Sequence, residues 1–389
     1  MKSSAGISFR NNMRQYVMVI ALAVVIILFE ITTGGVLLKP LNISNLIMQN
    51  AYILILATGM LLCILTGGNI DLSVGSVAGF VGAISAVLII RMDVPVFWAI
   101  LISLGVGVLI GFWQGFWIAY VGVPAFIATL AGMLIFRGLT LVTLQGTSLA
   151  PMPKNYTFLA SGFLPDIFGG TSINILALVI GLVSSAVYVL FEMKKRANKR
   201  KYKFEIASKQ AFILQSTGIV VVINAFTFAL ASYRGIPMVL VIVVILVAIY
   251  SFITMKTIPG RHIYAFGGNA KAARLSGVNT KRVMFWVYVN MSALAAFAGI
   301  IFTGRLNSAT PKSGVNFELD AIASCFIGGA STAGGVGTVI GAIVGGLLMG
   351  VLNNGMSIMG VSIDWQQAIK GFVLLGAVAF DVYSKSKAK

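Results

Sequence analysis

The sequence predicts an all-α, polytopic inner-membrane helical bundle of roughly ten to twelve transmembrane helices, and three observations carry that expectation. Hydrophobic residues make up 58% of the 389 and charged residues only 10%. Apolar runs of about 20 residues, the length that crosses a hydrocarbon core about 30 Å thick, recur along the whole chain. Basic residues gather between the runs, with twenty of the 28 Lys and Arg in four short regions. A net charge of +18 would suggest nucleic acid in a soluble chain. Sorted by side of a membrane it reads as topology instead, so a single transmembrane domain over 1–389 is expected and no nucleic-acid partner.

The first run, 16–33, follows Lys2, Arg10 and Arg14. It has the basic flank of a signal peptide but no small-residue cleavage pattern, and is expected to be a retained first helix. Runs at 45–66, 70–90, 95–121, 124–144 and 173–191 make six, an even number that returns the chain to the side of its N-terminus. The segment reached there, 192–209, holds Lys194, Lys195, Arg196, Lys199, Arg200, Lys201, Lys203 and Lys209. Runs at 210–232 and 236–255 cross out and back, delivering 256–282 with Lys256, Arg261, Lys271, Arg274, Lys281 and Arg282. The last runs, 283–303, 319–330, 335–358 and 365–383, lead to a tail at 384–389 with Lys385, Lys387 and Lys389. By the positive-inside rule 1–15, 192–209, 256–282 and 384–389 are cytoplasmic. The run at 319–330 is the weak element: about 12 residues at 1.5 Å each reach roughly 18 Å, too short to cross unless the helix is broken or buried in protein. Outside, 145–172, with Pro151, Pro153 and Pro165, and 304–317 are expected to be irregular periplasmic or extracellular loops and candidate docking surfaces.

Within this apolar frame the stretch Leu65-Thr66-Gly67-Gly68-Asn69-Ile70-Asp71-Leu72-Ser73-Val74-Gly75-Ser76-Val77 sets a carboxylate among glycines. An acid at bilayer depth costs several kcal/mol, so Asp71 should face protein or water and marks a site. Two roles are open to it: capping a helix that begins near Leu72, or lining a pathway. The pattern echoes later in the chain, where Gly328-Gly329 precedes Val336-Gly337-Thr338-Val339 as Gly67-Gly68 precedes Val74-Gly75-Ser76-Val77. Internal repeats around interrupted helices build the central route of many transporters, although glycine packing segments can resemble one another for simpler reasons. Candidate pathway or helix-break residues are Asn50, Asn69, Asp71, Ser73, Gly75, Gly328, Gly329 and Gly337. Arg137 reads as a structural partner for carbonyls or a snorkelling residue. Asn290, Asn353 and Asn354 also lie at depth, and Glu30, Glu318 and Asp320 fall near the outer ends of runs.

No catalytic residue and no metal site is expected. His262 is the sole histidine, and Cys63 and Cys325, both in apolar runs, read as buried inert thiols. No Gly-x-x-x-x-Gly-Lys-[Ser/Thr] loop is present to cradle ATP phosphates, so energy from ATP would have to enter through a partner. The most partner-like segment runs from Arg261 to Gly277, where Asn269 can cap a short helix from Ala270 to Ser276 that ends at Gly277. Such a helix between two spans suits the groove of a soluble subunit; a plain basic loop held to anionic lipid is the alternative.

Together, Asn69–Ser76, Val123-Pro124-Ala125-Phe126-Ile127-Ala128-Thr129-Leu130-Ala131-Gly132-Met133, Arg137-Gly138, the Arg261–Gly277 segment and Glu318-Leu319-Asp320-Ala321-Ile322-Ala323 resemble the permeases of ATP-binding cassette importers for monosaccharides, the ribose, xylose and galactose/arabinose group. Ser324-Cys325-Phe326 departs from the pattern. The basic 192–209 segment with its two following runs, and Asn42–Asn50, are similar to the longer xylose-type and multiple-monosaccharide permeases. The resemblance implies a transport subunit rather than an enzyme, importing xylose, arabinose, galactose or a similar monosaccharide across a bacterial inner membrane. It implies a homodimer in lipid with the route at its interface, a periplasmic or extracellular sugar-binding protein, and cytoplasmic ATPase subunits. ATP and Mg would sit on those subunits, leaving this chain without a cofactor. The 256–282 loop would be the coupling element, with Arg261, His262, Tyr264, Gly267, Gly268, Asn269, Ala272, Arg274 and Gly277 as its residues. An ion-gradient-driven secondary sugar carrier is the alternative, and the scarcity of buried acids, histidines and lysines for a relay speaks against it. A non-transporting scaffold or receptor, or an exporter, is further off.

Overall fold

Fifteen helices account for nearly all the regular structure in the computed structural model. It describes residues 4–386 apart from 171–172, 203 and 205–207, without the side chains of 4–17 and 380–386. In order they are α1 (Ser4–Thr32), α2 (Pro40–Leu65), α3 (Val74–Ala86), α4 (Val96–Phe116), α5 (Ala125–Leu144), α6 (Lys154–Ser161), α7 (Ile175–Lys201) and α8 (Lys209–Ala231). Then follow α9 (Met238–Lys256), α10 (Ile258–Gly268), α11 (Ala270–Leu275), α12 (Thr280–Leu306), α13 (Phe317–Ile327), α14 (Val339–Ile358) and α15 (Ile363–Ser386). Wider helical turns over Val87–Arg91 and Trp117–Val121 extend α3 and α4. Lys2, Lys203, Lys387 and Lys389 lie outside the described residues, as do the side chains of Arg10, Arg14 and Lys385.

Helix starts follow from local chemistry. Pro95, Pro124, Pro153 and Pro237 stand immediately before α4, α5, α6 and α9, where a missing N–H costs nothing. Asn174, Ser208, Asn279 and Thr338 cap α7, α8, α12 and α14, each side chain accepting from a backbone N–H of the first turn.

Burial sorts the helices into an inner and an outer set. In its most apolar stretch α2 is 89% buried and α8 only 11%, so α2 is enclosed by protein and α8 turns most of its surface outward. The inner set is α2, α3, α12 and α14; α4, α5, α7, α8 and α9 surround it. Small residues set the closest approach. A Cβ on Gly107 or Gly111 of α4 would stand 2.2 Å from Ala296 Cβ or 2.6 Å from Val289 Cα of α12, so the two backbones pack where only glycine fits.

Among the described residues nine helices are long and apolar enough to cross a membrane, and α1 and α15 bring the long helices to eleven. The exception is α13, whose 11 residues reach only about 16 Å. Its start lies deep in the protein, because Gly314, just before it, meets Gly75 near the start of α3: a Cβ on Gly314 would be 1.9 Å from Gly75 O. The 304–317 segment is only partly exposed, with Ala309 and Gly314 buried, and Glu318 and Asp320 are buried in the first turn of α13. The 192–209 segment also differs from the expected loop, since α7 continues as helix to Lys201.

The 145–172 segment carries α6 and is tied to its neighbours. Leu149 and Ala309 exchange two backbone hydrogen bonds of 2.9 Å, Met152 N donates to Asn307 Oδ1 at 2.9 Å, and the Tyr156 and Ser85 hydroxyls meet at 2.7 Å in the core.

Candidate functional site

The intramembrane carboxylate shapes the turn that launches α3. Asp71 Oδ1 accepts from Ser73 N at 2.9 Å and from Ser73 Oγ at 2.6 Å, an Asx turn that ends where the helix starts at Val74, two residues later than expected. Gln114 of α4 donates from Nε2 to Ser73 Oγ at 2.7 Å, and Ser292 of α12 reaches Gln114 Oε1 at 3.5 Å. Asp71, Ser73, Gln114 and Ser292 are all buried, and Asp71 Oδ2 accepts no hydrogen bond from the described residues. Sequence reasoning missed Gln114 and Ser292. A lone amide in the apolar run of α4 was the available signal.

Beside this chain of hydrogen bonds, charge pairs hold the short α13. Lys370 Nζ of α15 lies 2.9 Å from Asp320 Oδ1, and Tyr52 of α2 donates to Asp320 Oδ2 at 3.4 Å. Arg137 Nη2 of α5 stands 4.0 Å from Glu318 Oε1, a charge contact too long for a hydrogen bond. Arg137 therefore faces an acid, where the sequence suggested carbonyls or the membrane surface.

The other candidate pathway residues do not all converge on Asp71. Gly75 packs against Gly314 and Glu318, and Asn69 donates to Thr66 O at 2.7 Å. Asn50 lies apart, its side chain against Gly350 of α14 and its Nδ2 donating to Leu46 O at 2.8 Å. Gly328 backs onto Gly341, Gly329 adopts φ 81° beside Met18, and Gly337 carries φ 149° in the loop before α14.

The two glycine-rich breaks that echo each other in sequence touch in space. Gly335 N donates to Leu65 O at 3.0 Å, Gly68 sits where a Cβ would be 2.0 Å from Thr332 O, and Gly334 would meet Gly67 N at 2.4 Å. α10 closes on this contact: a Cβ on Gly267 would lie 1.7 Å from Leu65 O and 2.5 Å from Gly335 N. Tyr264 donates to Gly337 O at 2.7 Å, and burial raises its phenol above the ordinary value, so it remains a donor. One face of α10 thus touches both interrupted spans.

The opposite face is open. Nothing lies within 4 Å of a Cβ on Gly268, and Arg261, Ala272 and Arg274 are exposed, with His262 half-buried. Asn269 Oδ1 accepts from Ala272 N at 2.9 Å and caps α11, which gives way to a turn through Ser276 to Gly277 at φ 87°. Leu275 is 83% exposed on this basic surface, an apolar contact point that sequence reasoning did not single out. α10 was missed too, because Pro259, Gly260, Gly267 and Gly268 read as breakers; Pro259 instead occupies the first turn. No group of three or more His, Cys, Asp or Glu that could hold a metal lies among the described residues.

Comparison with known proteins gives this geometry its context. Over 376 residues the chain is 37% identical to the xylose transport system permease protein of Haemophilus influenzae, covering 97% of this chain and 98% of that one. Against the xylose transport system permease protein of Escherichia coli K12 the figures are 36% over 377 residues, 97% and 94%. The ribose import permease protein of Escherichia coli K12 is 34% identical over 340 residues, covering 87% of this chain and 85% of its own. No solved structure matches. The family model described as "Branched-chain amino acid transport system / permease component" matches residues 42–378, and with relatives above 30% identity across nearly the whole chain, the protein belongs to that family of transport permeases.

Proposed function

We propose that this chain is the membrane-spanning subunit of an ATP-driven importer for a monosaccharide of the pentose class. The observation that carries the reading is the 37% identity, over 97% of the chain, to a protein named as a xylose permease. The protein sits in the bacterial inner membrane with both termini in the cytoplasm, a reading supported by the placement of its basic segments. It works as a homodimer with two cytoplasmic ATPase subunits, which hold ATP and Mg, and with a sugar-binding protein outside.

Coupling runs through α10 and α11. Closure of the ATPase subunits pushes on the exposed face that carries Arg261, Arg274 and Leu275. Gly267 and Tyr264 pass the displacement to the breaks at Leu65–Ser73 and Gly328–Thr338, because their contacts leave no slack. Both breaks precede inner helices, so α3 and α14 tilt together and the route changes the face to which it opens. Asp71, Ser73 and Gln114 hold the start of α3 during that motion.

The test is co-expression of the tagged chain with its ATPase and binding protein, followed by uptake of labelled pentose into proteoliposomes. ATP-dependent uptake in wild type, lost together with ATPase recovery in Gly268→Arg, is expected. Uptake of branched-chain amino acids in its place would match the family's description and overturn the sugar assignment. Uptake on an ion gradient without the ATPase would overturn the importer reading.

A further inference from the structure

Between the peripheral α7–α8 pair and the body of the protein runs a crevice with a basic mouth and an apolar floor. The mouth, about 700 Å³, is bordered by Lys195, Arg196 and Lys199 of α7, Gln215 of α8, Thr254 of α9 and Thr338 at the start of α14. Beside it lies an apolar trough of about 680 Å³ walled by Leu22 of α1, Val244 of α9 and Ile343, Leu347 and Val351 of α14. Ser251 and Ile340 line both parts, so the two adjoin at these residues. From Thr338 to Val351 the wall is about 20 Å long at 1.5 Å per residue.

The charges at the mouth are not equivalent. Glu192 takes Lys195 at 3.0 Å. Arg196 is held over the Phe212 ring at 4.8 Å, which fixes its position without neutralising it, and Lys199 has no ion pair among the described residues. At the junction Ser251 Oγ has no hydrogen-bond partner among the described residues.

We propose that this crevice binds one anionic phospholipid of the cytoplasmic leaflet, its phosphate between Arg196 and Lys199 and its acyl chains along α9 and α14. Two uncompensated cations above a dry trough match such a lipid: basic pockets between helices at the cytoplasmic surface take anionic headgroups, and the trough exceeds the roughly 15 Å that one leaflet's chains cover. Ser251 stands at the level where the ester carbonyls would pass. The lipid would bridge the α7–α8 pair to the bundle where protein contact is sparse, since α7 and α8 are only 17% and 11% buried in their apolar stretches. The inference needs the chain to lie in a bilayer but does not depend on what it transports.

Native mass spectrometry of the full chain, released from nanodiscs of phosphatidylglycerol or of phosphatidylcholine, tests it. Wild type is expected to retain one phosphatidylglycerol and no phosphatidylcholine. Arg196→Gln with Lys199→Gln should weaken retention roughly 20-fold, at about fivefold per cation. Arg196→Lys should keep it, and Ile343→Trp, which fills the trough and leaves the mouth intact, should abolish it. Thermal unfolding in lipid-free detergent checks that each variant folds as wild type does. Equal retention of both lipids, or retention unchanged by the charge pair and by Ile343→Trp, would overturn the proposal. So would stabilisation of wild type by inorganic phosphate alone to the same degree as by phosphatidylglycerol, which would assign the mouth to a soluble anion.

Discussion

Replacing Gly267 by alanine should wedge α10 away from the two interrupted spans. The added methyl would begin 1.7 Å from Leu65 O, 2.5 Å from Gly335 N and 2.9 Å from Leu65 C, all backbone atoms that cannot swing aside. Restoring an ordinary contact of roughly 3.5 Å to that oxygen requires a displacement of about 1.8 Å. Tyr264 of α10 donates to Gly337 O at 2.7 Å, so a shift of that size also breaks the bond that ties α10 to the second glycine break. Overpacking costs about 1–3 kcal/mol and a buried group left without its partner about 1–3 kcal/mol, so about 2–6 kcal/mol is expected in total. At about 2 °C per kcal/mol that corresponds to a fall of about 4–12 °C in the unfolding temperature of the purified chain. The same separation should reduce ATP-driven uptake while the ATPase still co-purifies, because the exposed face of α10 and α11 is untouched. Gly268→Ala is the control, with open space around its Cβ and no expected change in Tm. A Gly267→Ala protein with wild-type Tm and wild-type uptake would refute the contact and the coupling route built on it.

Three further outcomes are expected. Lys370→Met should destabilise by about 2–4 kcal/mol because it strands the buried Asp320 carboxylate, and adding Asp320→Asn should recover most of that loss in denaturant unfolding; no recovery would argue against the ion pair. Gln114→Leu removes the 2.7 Å bond to Ser73 and should slow uptake without preventing assembly with the ATPase, as read from the initial rate of labelled pentose entry. In the outer segment, slight desolvation pushes Asp166 upward, but N–H groups of Phe168, Ile175, Leu176 and Gly170 outweigh it and hold its carboxyl below the ordinary range. A depressed folded value means that its contribution is complete above about pH 4 and fades as pH falls through that lower value. Protection of the Phe168 and Ile175 amides, taken relative to their intrinsic exchange rates, should fall only in acid, and Asp166→Asn should lower it at neutral pH.

Much of the architecture was legible because a bilayer imposes strict rules on a chain. Apolar length and the sidedness of lysine and arginine located the long helices, and the glycine echo located both breaks, since lipid tolerates neither charge nor unpaired backbone. The asparagine cap of α11 was likewise a local matter: Asn269 reaches its own backbone three residues on. α10 escaped notice because its proline and glycines are breakers in isolation, and only the floor provided by Leu65 and Gly335 makes a helix with two terminal glycines the shape that fits.

The sequence by itself determined that this protein is a many-helix membrane protein with two glycine breaks and an acid set among apolar runs, properties that follow from composition, period and local hydrogen bonding, while its motifs carried the resemblance to transport permeases. Tertiary structure alone decided which polar residues act together. Asp71 joins Ser73, Gln114 and Ser292 while Asn50 stands apart, Glu318 and Asp320 turn inward to Arg137 and Lys370, and the two breaks meet under α10. Apart from the local Asp71–Ser73 turn, these pairings join residues far apart in the chain, and their distances are set by how the helices pack.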